Sequence, residues 1–402
     1  MLDQLTVERM AREPIAVGLS GGGDSSALLL LLIERFGTAN LRAFVVDHAL
    51  REGSRIDAER ARAFAVAHGV RADILTLFWA PDSNRGQQGA RRGRYRAICE
   101  AMRAENLRIL ALGHTADDQA ETMLMRAAGG SSWRGLAGIA PFAAAPVWPE
   151  GRDVFVARPL LAQRREALRA FLREHGASWI DDPANANPDY ERVRVRAKLA
   201  ALEAAGFDPL RLVALAAKLR VRVAALDQLA AALIAAASRC EDDTILLTPD
   251  RWQGGASVRQ RALAVLIAAA AGAERLPAPE AVERLDRQLG PGFRGATLGG
   301  ASVAVTRAGW IIGRDPGALL GRSGGGAALA DLPLEAGVEK VWDGRLAVTA
   351  PAPGWLVAAG ASGPRLEQGG ATKTLVAARG RWLLQSRIES LLAASGINSG
   401  KP

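Results

Sequence analysis

Lysine is missing from the first 197 of the 402 residues. That absence excludes a P-loop nucleotidase over this half, because the GxxxxGK[ST] loop needs its lysine on the outer phosphates. Cysteine is almost as scarce. Cys99 and Cys240 stand far apart, so there is neither a disulfide framework nor a CxxC metal or redox pair, and both read as small buried side chains. Aromatic residues make up only 5% of the chain, in keeping with a core of Leu and Ala. Long apolar runs are lacking too: ALLLLLI, residues 27–33, is far shorter than the roughly 20 residues that span a bilayer. Asp24 precedes it where a secretory signal would carry basic residues. The expectation is a cytoplasmic protein without membrane association, and no protein partner is evident.

What is there is enough for two or three domains, with 49% hydrophobic residues and a formal charge of +9. A basic surface concentrates polyanions and points toward nucleic acid, although arginine as a solvated surface residue explains part of it. The surplus is spread out: 28 basic against 24 acidic residues up to position 200, and 23 against 18 beyond it.

Up to about residue 125 strand-like and helix-like segments alternate. IAVGL is followed by a helix at 24–36, RAFVVD by one at 54–69, RADILTLF by one at 90–104, and RILALG by one at 116–127. This order predicts a parallel sheet with helices on its faces, which binds ligands beyond the carboxyl ends of its strands. Four loops fall there: SGGGDSS, DHALR, GARRGRY and GHTADDQ. Residues 129–158 read as loops or a short excursion, 162–175 as a helix, and WIDDPANANPDYERVRVR as a structured loop entering a basic segment. Ala-rich helices are expected at 209–237, 256–271 and 279–289, a linker at 316–329, and weak strands after it. The fold class expected is α/β: residues 1–205 form a parallel-sheet nucleotide domain, 206–325 a mainly helical or mixed domain, and 326–402 a small β-containing domain.

The glycines after IAVGL would let backbone N–H groups approach phosphate at a helix N-terminus. A dinucleotide fold fits poorly, because Gly18, Gly21, Gly22 and Gly23 miss the GxGxxG spacing and Ser26 stands at the close-packing position; only Asp47, at the end of the next strand, supports it. A plain glycine turn with Asp24 and Ser25 as helix caps is a further reading. SGGGDS, Ser20 to Ser25, resembles the PP-loop of ATP pyrophosphatases, which transfer AMP to an oxygen and release pyrophosphate. Its residue types fit ATP binding by Ser20, Gly21, Gly22, Gly23, Asp24, Ser25 and Ser26, with Asp24 helping to hold Mg²⁺, a cation that takes oxygen ligands.

VVDHALREGS, GARRGRYRAI, LGHTADDQAETMLMR, SWRGLAGI, RPLL with a following Arg, and DDPANANPDYERVRVR then occur in order. Together, over residues 14–200, this series resembles the tRNA(Ile)-lysidine synthetase family. The resemblance implies that ATP adenylates the C2 oxygen of the wobble cytidine in the CAU anticodon of an isoleucine tRNA, and that free L-lysine displaces AMP to give lysidine. Asp118 and Glu121, one helical turn apart and so on one face, are implied to hold the lysine ammonium, with Arg192 or Arg196 on its carboxylate. Arg91 and Arg94 would stabilise charge at the α-phosphate, and His114 would contact phosphate or move a proton. Asp47 and His48 would lie at the nucleotide. Asp24, Arg91, Arg94, His114 and Asp118 thus form the expected catalytic set. Ala184 and Val193 depart from the family's Ser and Asn, while Asn185, Arg192 and Arg196 keep its pattern. Other PP-loop tRNA-modifying enzymes and an inactive RNA-binding relative are the alternatives; missing CxxC pairs argue against a cluster-dependent thiolase, and intact Asp24, Asp118 and Glu121 against decay.

Overall fold

A computed structural model describes residues 1–79, 86–181, 189, 191–321, 327–360 and 363–393. The described residues fall into two compact units, one up to Ala224 and the other from Ala225 to Ala393.

The first unit opens with α1(Gln4–Met10) and then alternates β1(Ile15–Gly18), α2(Gly23–Phe36), β2(Leu41–Asp47), α3(Ser54–Ala67), β3(Arg71–Thr76), α4(Gln87–Ala104), β4(Ile109–Ala111) and α5(Ala116–Ala128). β5(Phe142–Ala144), β6(Phe155–Ala157), α6(Arg165–Glu174) and α7(Glu191–Ala204) follow. The sheet order is β3-β2-β1-β4-β6-β5, parallel except for β5. Alternation along each strand explains why the sheet is covered on both faces. Ile15 and Val17 of β1, Leu41, Ala43 and Val45 of β2, and Ile109 and Ala111 of β4 enter one core with α2, α3 and α6. Ala16, Phe44 and Leu110, the residues between them, enter a second core with Tyr95, Ile98, Cys99 and Met102 of α4. α2 is apolar nearly all round, and Ser25 to Leu32 are all buried.

The strand order reverses at β1, which pairs with β2 on one side and β4 on the other. The loops after β1 and β4 therefore face each other across the crevice where such sheets bind ligands.

The segment 129–158, expected as loops, contains β5 and β6, and the basic segment after residue 190 is the helix α7. Three-residue strands carry no readable period, and RVRVR alternates like a strand although only Leu199 of α7 is buried. Cys99 is buried, with its thiol pushed up to about 12 chiefly by that burial, whereas Cys240 is only partly covered.

α8(Leu210–Ala237) starts four residues after the expected division near 206, and the compact units part further along within it. Beyond it come β7(Ser238–Glu241), β8(Thr244–Leu247), α9(Ala256–Ala270), α10(Pro279–Gln288), β9(Ala296–Leu298), β10(Ala301–Thr306) and β11(Gly309–Arg314). These strands form an antiparallel sheet in the order β7-β8-β11-β10-β9, packed on α9, whose residues from Ala262 to Ala270 are all apolar and buried. The stretch 316–329 expected as a linker begins with a helix, α11(Pro316–Leu320), and its residues 322–326 lie outside the described part. The remaining residues build two small antiparallel sheets around Trp342, Leu346, Val348, Trp355 and Val357, and then a closing helix. Among the described residues no helix is long and apolar enough to cross a membrane.

Candidate active site

SGGGDSS is a strand-to-helix turn at the carboxyl edge of the sheet: β1 ends at Gly18, and Gly22 caps α2. Gly21 has φ +80°, and a Cβ there would lie 2.7 Å from Ile180 Cδ1 and 3.1 Å from Ala61 Cβ. Both conformation and space thus demand glycine. Ser25 Oγ donates to the Gly22 carbonyl at 2.9 Å and accepts from Ser20 N at 3.2 Å, with Ser20 Oγ 3.0 Å away. The hydroxyls brace the turn, Ser26 is buried beneath it, and Ile180 N donates to the Gly21 carbonyl at 2.9 Å. The first-turn N–H groups of α2 have no intrahelical acceptor, and the helix dipole adds positive potential, which suits an anion.

The acids arise on α5. Thr115 caps it, and Asp118 Oδ2 accepts from Thr115 N at 2.9 Å and Thr115 Oγ1 at 3.1 Å, completing a capping box. One turn on, Glu121 is 1% exposed and its Oε2 has no hydrogen-bond partner. The structure brings a cation among these groups to which no role was assigned from the sequence. Arg165, at the start of α6, places Nε 3.0 Å from Asp24 Oδ2, Nη2 3.3 Å from Asp118 Oδ1 and Nη1 3.7 Å from Glu121 Oε1. Its backbone N donates to Asp117 Oδ2 at 2.7 Å, and Arg164 Nε donates to Asp117 Oδ1 at 3.1 Å, so Asp117 fastens α6 to the head of α5. Arg192 and Arg196, expected at the carboxylate end of an amino acid, instead meet the acid end: Arg196 Nε is 2.7 Å from Glu121 Oε1 and Arg192 Nε 3.8 Å from Oε2. They stand one helical turn apart on α7.

Burial raises the carboxyls of both Asp24 and Glu121 above the usual range, although Arg165 and Arg196 respectively oppose the shift. For Arg165 burial alone would lower the guanidinium, but Asp118 and Asp24 beside it reverse the direction and hold its proton more firmly.

A basic group faces His114. Burial first, and then Arg158, Arg91, Arg94 and Arg192, push the His114 imidazole well below its ordinary value, so it is neutral at pH 7. Its Nδ1 is buried without a hydrogen-bond partner. Arg91 lies over the Tyr95 ring at 5.2 Å, and burial lowers the Arg94 and Arg158 guanidiniums. His48 is also lowered by burial and by Arg94, whereas Asp47 closes the turn into α3 by accepting from Ala49 N at 2.9 Å and Ser54 Oγ at 2.7 Å. Arg158, Arg164 and Arg165 lie in and just after the RPLL stretch that carried part of the resemblance. Ala184 and Asn185 lie outside the described residues.

The arrangement fits a nucleotide: a glycine cradle that a Cβ would fill, a helix N-terminus, and the arginines gathered around His114. It also fits one Mg²⁺ shared with phosphate oxygens, since that cation commonly uses one or two carboxylates plus phosphates and Asp24 is half-buried at the loop. Among the described residues no group of three or more His, Cys, Asp or Glu forms an all-protein metal cage.

The PP-loop domain family matches residues 1–203. The chain is 42% identical over 319 residues to the tRNA(Ile)-lysidine synthase of Hyphomonas neptunium, covering 75% of this chain and 81% of that one. It is 38% identical over 344 residues to that of Mesorhizobium japonicum, covering 82% and 71%. Among solved structures, the U34-tRNA thiolase NcsA from Methanococcus maripaludis with its [4Fe-4S] cluster is similar over 54% of this chain and 79% of that one, with TM-score 0.43 and 18% identity. A glycine turn without a P-loop lysine, joined across the reversal of strand order to an acid face on α5, is thus found in a chain matched by its relatives over most of its length, and this chain belongs to the tRNA(Ile)-lysidine synthase family of ATP-using PP-loop enzymes.

Proposed function

We propose that this protein ligates free L-lysine to C2 of the wobble cytidine in the CAU-anticodon isoleucine tRNA, in the cytoplasm, with ATP converted to AMP and pyrophosphate. The observation that carries this reading is the meeting of Asp24, from the glycine loop, with Asp118 and Glu121 of α5 around one cation. A phosphate site and an alkylammonium site adjoin there.

In the first half-reaction the cytidine C2 oxygen attacks the α-phosphorus and pyrophosphate leaves. The amide groups of residues 21–24 and the head of α2 would hold the pyrophosphate end, Asp24 would hold Mg²⁺ with phosphate oxygens, and Arg91 and Arg94 would balance charge building at the α-phosphate. Mg²⁺ supplies charge neutralisation on those oxygens. In the second half-reaction the lysine ε-ammonium first gives up one proton, the freed amine nitrogen forms the new bond to C2, the C2–O bond breaks, AMP leaves, and the nitrogen sheds a second proton. Asp118 and Glu121 would orient that nitrogen, and the raised Glu121 carboxyl is a suitable proton acceptor. Arg192 or Arg196 would turn from Glu121 to the lysine carboxylate. The residues beyond 206, with their basic surplus, would grip the tRNA.

The test is an unmodified CAU-anticodon transcript incubated with labelled lysine, ATP and Mg²⁺. Lysine incorporation with equal release of AMP and pyrophosphate is expected. Release of ADP, or no incorporation, overturns the reading.

A further inference from the structure

Arg165 uses one guanidinium to satisfy carboxylates of two sites. Its Nε faces Asp24 of the nucleotide loop at 3.0 Å, while Nη2 and Nη1 face Asp118 and Glu121 of α5 at 3.3 and 3.7 Å. The side chain is about three-quarters covered, so these contacts are poorly screened. Its attachment to the fold is separate from them: the backbone N of Arg165 and the side chain of Arg164 both bind Asp117. The guanidinium can leave the acids without undocking α6.

An alkylammonium entering between Asp118 and Glu121 must replace this guanidinium, and so must a divalent cation drawn to Asp24 by phosphate. Either event costs the ion pairs of Arg165. Once one has occurred, the other proceeds without that cost, and two ligands that displace the same group favour each other's binding. We propose that Arg165 couples the two substrate sites, acting as a resident cation whose displacement makes lysine binding and magnesium–nucleotide binding mutually reinforcing. Arg165 is here a positioning residue, and the proposal rests on the reading of Asp118 and Glu121 as the lysine site.

The experiment is equilibrium binding of lysine to the full chain by calorimetry, alone and with saturating Mg²⁺ and an ATP analogue bearing a methylene bridge between the α and β phosphorus atoms. For the unaltered chain lysine should bind at least about fivefold more tightly with the nucleotide present, and the nucleotide should gain the same factor from lysine, as linkage requires. Arg165→Met should bind lysine alone more tightly than the unaltered chain and lose the coupling, whereas a merely structural arginine would weaken both ligands when removed. Arg165→Lys, which keeps a cation there, should retain part of the coupling and decides the matter if Arg165→Met does not fold. Lysine binding with no coupling in the unaltered chain overturns this inference and leaves the proposed reaction standing. Failure to bind lysine in either state overturns both.

Discussion

Gly113 and Asp24 meet backbone to backbone across the reversal of strand order: a Cβ on Gly113 would stand 2.8 Å from the Asp24 carbonyl oxygen and 3.1 Å from Ser25 N. The loop after β4 thus rests directly on the glycine turn after β1, and their spacing sets the distance between the phosphate cradle and the acids of α5. No flexible side chain is available to give way.

Gly113→Ala should therefore cost activity well beyond its cost in stability. Overpacking of this kind destabilises by about 1–3 kcal/mol, which a melting curve reads. The kcat/KM for ATP should fall about tenfold or more, because small displacements of reacting groups are costly. Unchanged kinetics would mean that the close approach of these two backbones does not set the catalytic geometry.

The parts of this site differ in how far they could be read from sequence, and the differences have physical causes. β1, β2 and β4 were legible as short apolar runs between helices, and the reversal of strand order follows from the rules of parallel sheets. The shared face of Asp118 and Glu121 follows from helical spacing alone. Arg165 was not legible: its partners lie 141 and 47 positions away, and nothing in an arginine-rich segment distinguishes the one arginine that turns inward. The direction of Arg192 and Arg196 was hidden for a related reason. Their spacing places both on one face of α7, but only tertiary packing decides that this face looks at Glu121. β5 and β6 were lost to their length of three residues each.

His114 should make the protein sensitive to mild acid. Its folded imidazole is held well below the ordinary 6.5, so between that lowered value and about 6.5 the unfolded chain takes up a proton that the folded chain does not. Stability from this source is complete above about pH 6.5 and is lost as pH falls below it, by up to about 1.4 kcal/mol per pH unit. His114→Asn should flatten the fall in melting temperature between pH 6.5 and 5. An unchanged pH dependence would show that His114 is free to take a proton in the folded state.

Asp24→Ala should reduce the rate of AMP release by about a hundredfold or more with tRNA affinity nearly unchanged, since a group that holds the metal acts on the developing charge. Chelation of Mg²⁺ should abolish turnover in the unaltered chain. Equal losses of turnover and tRNA affinity in the variant would assign Asp24 a structural part.

A chain ending at Ala224, the limit of the first compact unit, should still bind ATP but lose about tenfold or more in affinity for the transcript. The residues removed carry part of the basic surplus, and each tRNA phosphate that they neutralise adds about one unit to the slope of binding against salt. The truncated chain should therefore show both a lower affinity and a shallower slope, read by titrating the transcript at several salt concentrations. An unchanged slope would place the tRNA grip on the first unit.

Glu121→Gln should separate the two half-reactions. The carboxylate is 1% exposed, its Oε2 has no hydrogen-bond partner, and three arginines lie around it: Arg165 at 3.7 Å, Arg192 at 3.8 Å and Arg196 at 2.7 Å. Gln keeps the shape and one acceptor but removes the charge that an ammonium group would meet. Charged hydrogen bonds contribute more than neutral ones, typically about 1.5–3 kcal/mol, so the lysine concentration needed for half-maximal rate should rise about tenfold or more. Under the proposed division of roles adenylation of the tRNA does not draw on the Glu121 charge, and the adenylated intermediate should still form from ATP when lysine is omitted and the product is trapped. Norleucine, which lacks the side-chain ammonium group, should discriminate less strongly between the variant and the unaltered chain than lysine does. If Glu121→Gln abolishes adenylation and leaves the lysine requirement as it was, Glu121 belongs to the nucleotide site and the amino acid is bound elsewhere.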